Sequence, residues 1–187
     1  SGTTERWQAL FPVLEKRLRL EATHLTANME QRGGGILRLD WLRKAEIAPD
    51  YYQLRVSFET CDSMGANFIN SVLEQFGATL QQWAISAPEL TAEERKLQIL
   101  MAILSNYTPD CVVKAWVECT MEDMQKTLKT GDDVRHFCHK FETAVNIAVH
   151  DPYRAVTHNK GIFNGIDSVV LATANDFRAI EACGHAY

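Results

Sequence analysis

Two short stretches concentrate the residues able to do chemistry. The first, Cys61-Asp62-Ser63-Met64-Gly65-Ala66-Asn67, follows a strand-like run and leads into a helical one. Asp62 stands where an N-cap is wanted, and Gly65 falls in what reads as the first helical turn. Free N–H groups at a helix start attract phosphate, and glycine removes the side chain that would hold a ligand away. A capped helix whose Gly65 merely packs closely on a sheet would read the same way, and one glycine is a weaker signal than GxGxxG. The second stretch runs from His150 to Gly165 and places Arg154, His158, Lys160 and Asn164 beside Gly161 and Gly165. On a helix Lys160 and Asn164 lie one turn apart, as do Arg154 and His158. An arginine suits a substrate carboxylate, and a lysine suits a carbonyl oxygen that gains charge during reaction. By composition alone, a solvated polar helix face fits equally well.

Three other features carry less. In Thr173-Ala174-Asn175-Asp176-Phe177-Arg178, Asp176 either holds Lys160 in a buried pair or caps the last helix, and by itself it reads as a cap. His136, Cys138 and His139 are potential metal ligands, but no second ligand cluster stands at a recognised spacing, so no metal is expected. Gly33-Gly34-Gly35 lacks the lysine and spacing of a phosphate loop and reads as a turn.

These residues must be held by the elements around them. Apolar residues from Trp7 to Leu25 recur at helical spacing, predicting one helix over about Glu5 to Met29 that ends at the triple glycine. Ile36 to Leu42 and Tyr52 to Phe58 read as strands, the second alternating cleanly, with a turn at Ala48-Pro49-Asp50 and hence an antiparallel hairpin. Phe68, Val72, Leu73, Phe76, Leu80 and Trp83 mark a helix from about Ser63 to Ala84. Leu97 to Leu104 is a strongly apolar run, and Cys111 to Val117 reads as a further strand. Gly131-Asp132-Asp133 opens a helix through Ala148, and Asp151-Pro152 restarts the chain as N-cap and first-turn proline. The fold class is α+β: a small antiparallel sheet packed by helices, then a helical segment.

Composition narrows the function classes. The 187 residues are 46% hydrophobic and 23% charged, a globular balance, with a formal net charge of -5. With no block of basic residues, binding to a nucleic-acid backbone is disfavoured. The five cysteines form no CxxC pair and read as reduced, mostly buried thiols of a cytoplasmic protein. No apolar run approaches the ~20 residues of a membrane-spanning helix. Ser1-Gly2 reads as a non-native start, and the chain stops inside a helical pattern at Gly184-His185-Ala186-Tyr187, so a fragment is expected.

Taken in order, these segments resemble class II 3-hydroxy-3-methylglutaryl-CoA (HMG-CoA) reductases. Asp62-Ser63-Met64-Gly65-Ala66-Asn67 is similar to that family's cofactor-binding hexapeptide, with serine where class II members usually carry alanine. Asp151 to Gly165 resembles the class II stretch DPYRAxTHNKGIxNG nearly residue for residue. Ile166 to Ala186 continues the resemblance, ending in a helix similar to the family's AIEAxxHAY segment. Ile103-Leu104-Ser105-Asn106 resembles a further family motif, and the triple glycine stands at the corresponding place upstream. The resemblance covers about residues 30 to 187.

The resemblance implies reduction of HMG-CoA to mevalonate and CoA by two hydride transfers from NADH or NADPH, or the reverse. Lys160 would be the catalytic cation and Asp176 the acid beside it, tuning that lysine and a neighbouring glutamate. Arg154 and Asn164 would bind the HMG portion. Asp62, Met64, Gly65 and Asn67 would line the nicotinamide cofactor, with Asn106 near cofactor or substrate. The implied fold is a small ferredoxin-like, dinucleotide-binding domain over residues 3–106, then part of the large catalytic domain over 107–187. The intact enzyme would be at least a homodimer, with no nucleic-acid or membrane partner.

The sequence also departs from the family. The catalytic glutamate upstream and the histidine on a C-terminal segment have no matching motif, so the fragment alone is expected to be inactive. NADH-preferring members carry an aspartate a few residues ahead of the triple glycine. Leu25-Thr26-Ala27-Asn28 offers no acid there, which brings NADPH into play. Ala174 replaces the glycine usual before the Asn-Asp pair. The rival reading is a non-catalytic nucleotide- or CoA-binding module derived from the same fold.

Overall fold

The computed structural model describes residues 2–129, 131 and 133–186, in two compact units, Ser1–Leu104 and Ser105–Tyr187. The first unit begins with α1 (Gly2–Glu21) and α2 (Thr23–Glu30). The expected single helix is thus broken at Ala22, where the hydroxyl of Thr23 turns back to the carbonyls of Arg19 and Leu20 at 3.2 and 2.9 Å. Such back-bonding competes with the helical ladder and bends it.

Strands β1 (Gly35–Arg43) and β2 (Tyr52–Glu59) pair antiparallel, with Leu39 opposite Val56 and Trp41 opposite Leu54. The register shifts between Ile36 and Arg38. The extra residue there, Leu37, faces solvent, as a bulge allows. Helix α3 (Ala66–Ser86) then packs against α1 and α2, with Phe68 edge-on to Phe58 of β2 at 5.7 Å, and a 3-10 turn follows at Glu94–Lys96. The hairpin is the only sheet among the described residues, so the expected antiparallel sheet is present with two strands.

The core of this unit follows from the helical stripes. Trp7, Leu14, Leu18 and Ala22 come from α1 and its end, Val72, Phe76, Leu80 and Ala84 from α3, and Leu39 from β1; all are buried. Each large side chain taken fully out of water contributes about 1.5–3 kcal/mol before entropy is counted. Trp41 stacks on Trp7 at 4.9 Å and on Tyr52 at 5.5 Å, closing one side of the core. The apolar run after Lys96 has no regular structure, yet Leu97 and Ile99 pack on the core. The Leu104 N–H donates to Oδ1 of Asn70 on α3 at 2.9 Å, tying the run down.

The second unit contains α4 (Met121–Thr127), α5 (Val134–His150), α6 (Pro152–Ala172) and α7 (Phe177–Gly184). Asp133 caps α5, accepting from the Arg135 N–H at 3.0 Å; Asp132 of the expected opening lies outside the described residues. Cys111 to Val117 forms no strand. Its one backbone hydrogen bond among the described residues is a local turn, from the Cys111 N–H to the Thr108 carbonyl at 3.0 Å, and Val113 and Val117 are 94% and 100% exposed. No described residue of this unit is buried. The expectation of mostly buried thiols is likewise corrected: Cys61, Cys111 and Cys119 are exposed, and Cys138 and Cys183 are half-buried. The first three sit in a turn and in the irregular segment, and the other two on helices that remain open on one side.

Candidate functional site

In the first unit, the segment Asp62–Asn67 forms a tight turn into α3. The hydroxyl of Thr60 donates to the Ser63 carbonyl at 2.7 Å and that of Ser63 to the Thr60 carbonyl at 2.8 Å. Asp62 is not the N-cap: α3 begins three residues later than expected, and Gly65 is its N-cap in the left-handed region at φ 72°. Only glycine adopts that conformation without steric cost, and a Cβ here would stand 2.5 Å from Cγ2 of Thr60. No side chain caps the helix, so its first N–H groups remain available to an anion. Asp62, Met64 and Asn67 are all exposed around this start.

The triple glycine stands next to this turn. The Cys61 thiol donates to the Arg32 carbonyl at 3.4 Å, and a Cβ on Gly34 would stand 2.5 Å from the Glu59 carbonyl. Glycine at 34 is therefore required for the end of α2 to approach the end of β2 so closely. Between α2 and α3 lies a cavity of about 330 Å³ lined by Leu25, Asn28, Met29, Arg32, Asn67, Phe68 and Ser71. Of its polar residues, Asn67 is a sequence-predicted cofactor residue, and Asn28 stands in the stretch where the sequence lacks the acid of NADH-preferring members. Arg32 and Ser71 carry little signal there beyond Arg32 preceding the triple glycine and Ser71 following Asn67 by one helical turn.

In the second unit, α6 carries the other cluster on one continuous helix. Asp151 caps it, accepting from the Tyr153 N–H at 3.0 Å, with Pro152 in the first turn. Arg154, Lys160 and Asn164 are exposed and His158 is half-buried. Nothing lies within 4 Å of a Cβ built on Gly161 or Gly165, so a bare strip of helix runs beside Lys160 and Asn164. Asp176 caps α7, accepting from the N–H groups of Arg178 at 3.0 Å and Ala179 at 3.4 Å. The buried Lys160–Asp176 pair is not formed: both residues are exposed, and the ion partner of Asp176 is Arg178 at 3.5 Å. Asn106 is exposed in the segment before α4.

Among the described residues no group of three His, Cys, Asp or Glu side chains converges as a metal site. His136 and His139 lie exposed on α5. No described helix is long and apolar enough to cross a membrane.

Residues 3–187 match the family model for hydroxymethylglutaryl-coenzyme A reductase. The chain is 33% identical over 178 residues to the protein named "Probable 3-hydroxy-3-methylglutaryl-coenzyme A reductase" of Borreliella burgdorferi, covering 95% of this chain and 38% of that protein. It is 32% identical over 126 residues to the 3-hydroxy-3-methylglutaryl-coenzyme A reductase of Archaeoglobus fulgidus, covering 67% of this chain and 24% of that one. Its structure is similar to the class II enzyme of Streptococcus pneumoniae solved bound to NADPH in open conformations. That likeness has a TM-score of 0.64 at 31% identity, over 96% of this chain and 43% of the other. Another structure of the S. pneumoniae reductase gives 0.62 at 34%, over 90% and 42% of the two chains. The chain thus spans about two fifths or less of the length of these relatives, and it belongs to the hydroxymethylglutaryl-coenzyme A reductase family.

Proposed function

We propose that this chain is part of an HMG-CoA reductase, an oxidoreductase that reduces HMG-CoA to mevalonate and CoA. The observation that carries the proposal is the Asp151–Gly165 segment, laid out as one capped helix with Arg154, Lys160 and Asn164 presented beside a strip free of side chains. In this reading Lys160 Nζ meets the substrate oxygen that gains negative charge, where a fixed cation lowers the barrier most. Arg154 pairs with the HMG carboxylate, and Asn164 donates to the same portion. Asp176 acts beside Lys160 once substrate and the rest of the site are in place.

The first unit is read as the small dinucleotide-binding domain and its hairpin as part of a ferredoxin-like sheet. Its residues suit a nicotinamide dinucleotide: α3 starts on a left-handed glycine with no side-chain cap, which fits a pyrophosphate. When bound, that cofactor supplies the hydride. Asp62, Met64, Gly65 and Asn67 would line it, with Asn106 contributing near cofactor or substrate. The second unit is read as part of the large domain, which accounts for the lack of buried side chains among its described residues and for exposed apolar ones such as Trp116 and Val117. The working enzyme would be a cytoplasmic assembly of at least two copies.

The test is a steady-state assay of the full-length protein with HMG-CoA and either NADPH or NADH, following cofactor absorbance. Turnover with HMG-CoA is expected. Binding of both ligands without oxidation of either cofactor would instead establish the rival reading, a non-catalytic nucleotide- or CoA-binding module.

A further inference from the structure

We infer that Thr60 and Ser63 are positioning residues for the cofactor, a reciprocal hydroxyl latch that pre-shapes the turn before α3 for the pyrophosphate. The inference rests on the dinucleotide-binding reading of the first unit and adds to it the residues that hold that turn. Three hydrogen bonds join the same two residues. The Thr60 hydroxyl donates to the Ser63 carbonyl at 2.7 Å, the Ser63 hydroxyl to the Thr60 carbonyl at 2.8 Å, and the Ser63 N–H to that same carbonyl at 3.1 Å. A main-chain turn alone supplies only the last of these. The family's hexapeptide usually carries alanine at the place of Ser63, so one arm of the latch is a feature of this chain.

The latch acts on the backbone that a phosphate would meet. A trans peptide sets its N–H opposite its C=O. Pinning the Ser63 carbonyl to the Thr60 hydroxyl therefore points the Met64 N–H outward, away from Thr60. Neither the Met64 N–H nor the Gly65 N–H donates to a described residue. With the uncapped N–H groups of the first turn of α3 they form a run of donors of the kind that holds phosphate oxygens. Thr60 also guards the left-handed N-cap, because its Cγ2 lies 2.5 Å from where a Cβ on Gly65 would stand. Ser63 is exposed and Thr60 half-buried, so their hydroxyl bonds compete with water and add little to overall stability. Their effect falls on the shape of the turn. A loose turn is ordered at the expense of binding, whereas a latched one is ordered already when the protein folds.

The experiment titrates the full-length protein with NADPH and with NADH, and measures steady-state kinetics with HMG-CoA. Ser63→Ala and Thr60→Val each remove one hydroxyl. Each is expected to raise the Kd and KM of the dinucleotides by about 3- to 10-fold. The factor should be the same for NADPH and NADH, since both carry the pyrophosphate. The kcat should stay within about 2-fold, because the latch touches no reacting atom. Ser63→Thr and Thr60→Ser keep the hydroxyls and should bind within about 2-fold of wild type. The double variant should lose less than the product of the two single losses, as residues acting as one unit do. Ser63→Ala places the family's usual residue in an exposed turn, so it should fold, and far-UV circular dichroism checks this. Unchanged affinity in Ser63→Ala and Thr60→Val, a loss confined to one dinucleotide, or a loss equally present in Ser63→Thr would overturn the inference while leaving the reductase reading intact. So would a fall in kcat at unchanged KM. Binding of neither dinucleotide by the wild type would instead overturn the dinucleotide-binding reading and this inference with it.

Discussion

Ala174 adopts φ 58°, in the left-handed region, two residues before Asp176 caps α7. The turn closes α6: the Ala174 N–H donates to the Leu171 carbonyl at 3.1 Å and the Asn175 N–H to the Val170 carbonyl at 2.9 Å. An L side chain in that region costs about 1–2 kcal/mol, which glycine avoids. Ala174→Gly is therefore expected to stabilise the second unit by about 1 kcal/mol after glycine's extra unfolded-state freedom is deducted. Urea titration followed by circular dichroism measures it. A lower midpoint for the variant would show that the turn is not held this way.

That turn also shows how far the sequence can be read. The departure from glycine at 174 was visible, but its consequence needed a dihedral angle. Caps at Asp133, Asp151 and Asp176 were legible because a short acid ahead of a helical stripe has one good use. The same rule fails at Asp62, because a left-handed Gly65 starts α3 three residues later and leaves the acid outside the helix. Cys111–Val117 has the β-branched composition of a strand, yet composition does not provide a pairing partner. The cavity polar residues were the least legible. Asn28, Arg32 and Ser71 come from α2, the turn after it and α3, whose approach depends on Gly34 and on packing across the core, and no periodicity encodes that.

Arg6 and Glu94 form a cross-element ion pair at 2.6 Å, joining α1 to the 3-10 turn. Burial raises the Glu94 pKa, but the Thr91 N–H, the Thr91 hydroxyl and Arg6 together outweigh it and hold the carboxyl below its ordinary 4.5. A depressed acid pKa contributes stability that is present above the unfolded value and lost as pH falls through the folded one. Glu94→Gln is expected to cost about 1–2 kcal/mol at pH 7, modest because Arg6 is partly solvated. The gap between wild type and variant should narrow as pH drops below about 4.5. Unfolding curves at several pH values check this, and a gap independent of pH would exclude an ionic origin.

Asp176 has two roles that substitution can separate. Asparagine is as good a cap as aspartate, whereas alanine loses the bonds to the Arg178 and Ala179 N–H groups. Asp176→Asn should leave the stability of this chain within about 0.5 kcal/mol, and Asp176→Ala should lower it by about 1 kcal/mol. In the full-length enzyme both should depress kcat strongly if the acid tunes the catalytic lysine. Asp176→Asn with unchanged kcat would reduce Asp176 to a cap.

Lys160 is exposed and has no ion-pair partner among the described residues, so its replacement should not disturb the fold. Lys160→Met should unfold at the same urea concentration as wild type. In the full-length protein it should lower kcat by about 10²- to 10³-fold, with little change in KM, as expected for a charge that acts mainly in the transition state. A change confined to KM would instead assign Lys160 to substrate binding.

Gly161 and Gly165 pose a contradiction that only function resolves. Each sits inside α6, where glycine costs about 0.5–1 kcal/mol relative to alanine, and no described residue lies near enough to demand it. A helix built for stability alone would carry alanine at both places. Gly161→Ala and Gly165→Ala are thus expected to raise the stability of this chain by about 0.5–1 kcal/mol each, nearly additively, because both added methyl groups meet open space. In the full-length enzyme the same variants should raise the KM for HMG-CoA, since the methyl groups would stand on the strip beside Lys160 and Asn164. Thermal melts of the chain and steady-state kinetics of the enzyme give the two readouts. Stabilisation with unimpaired kinetics would mean that nothing approaches α6 along this strip during turnover.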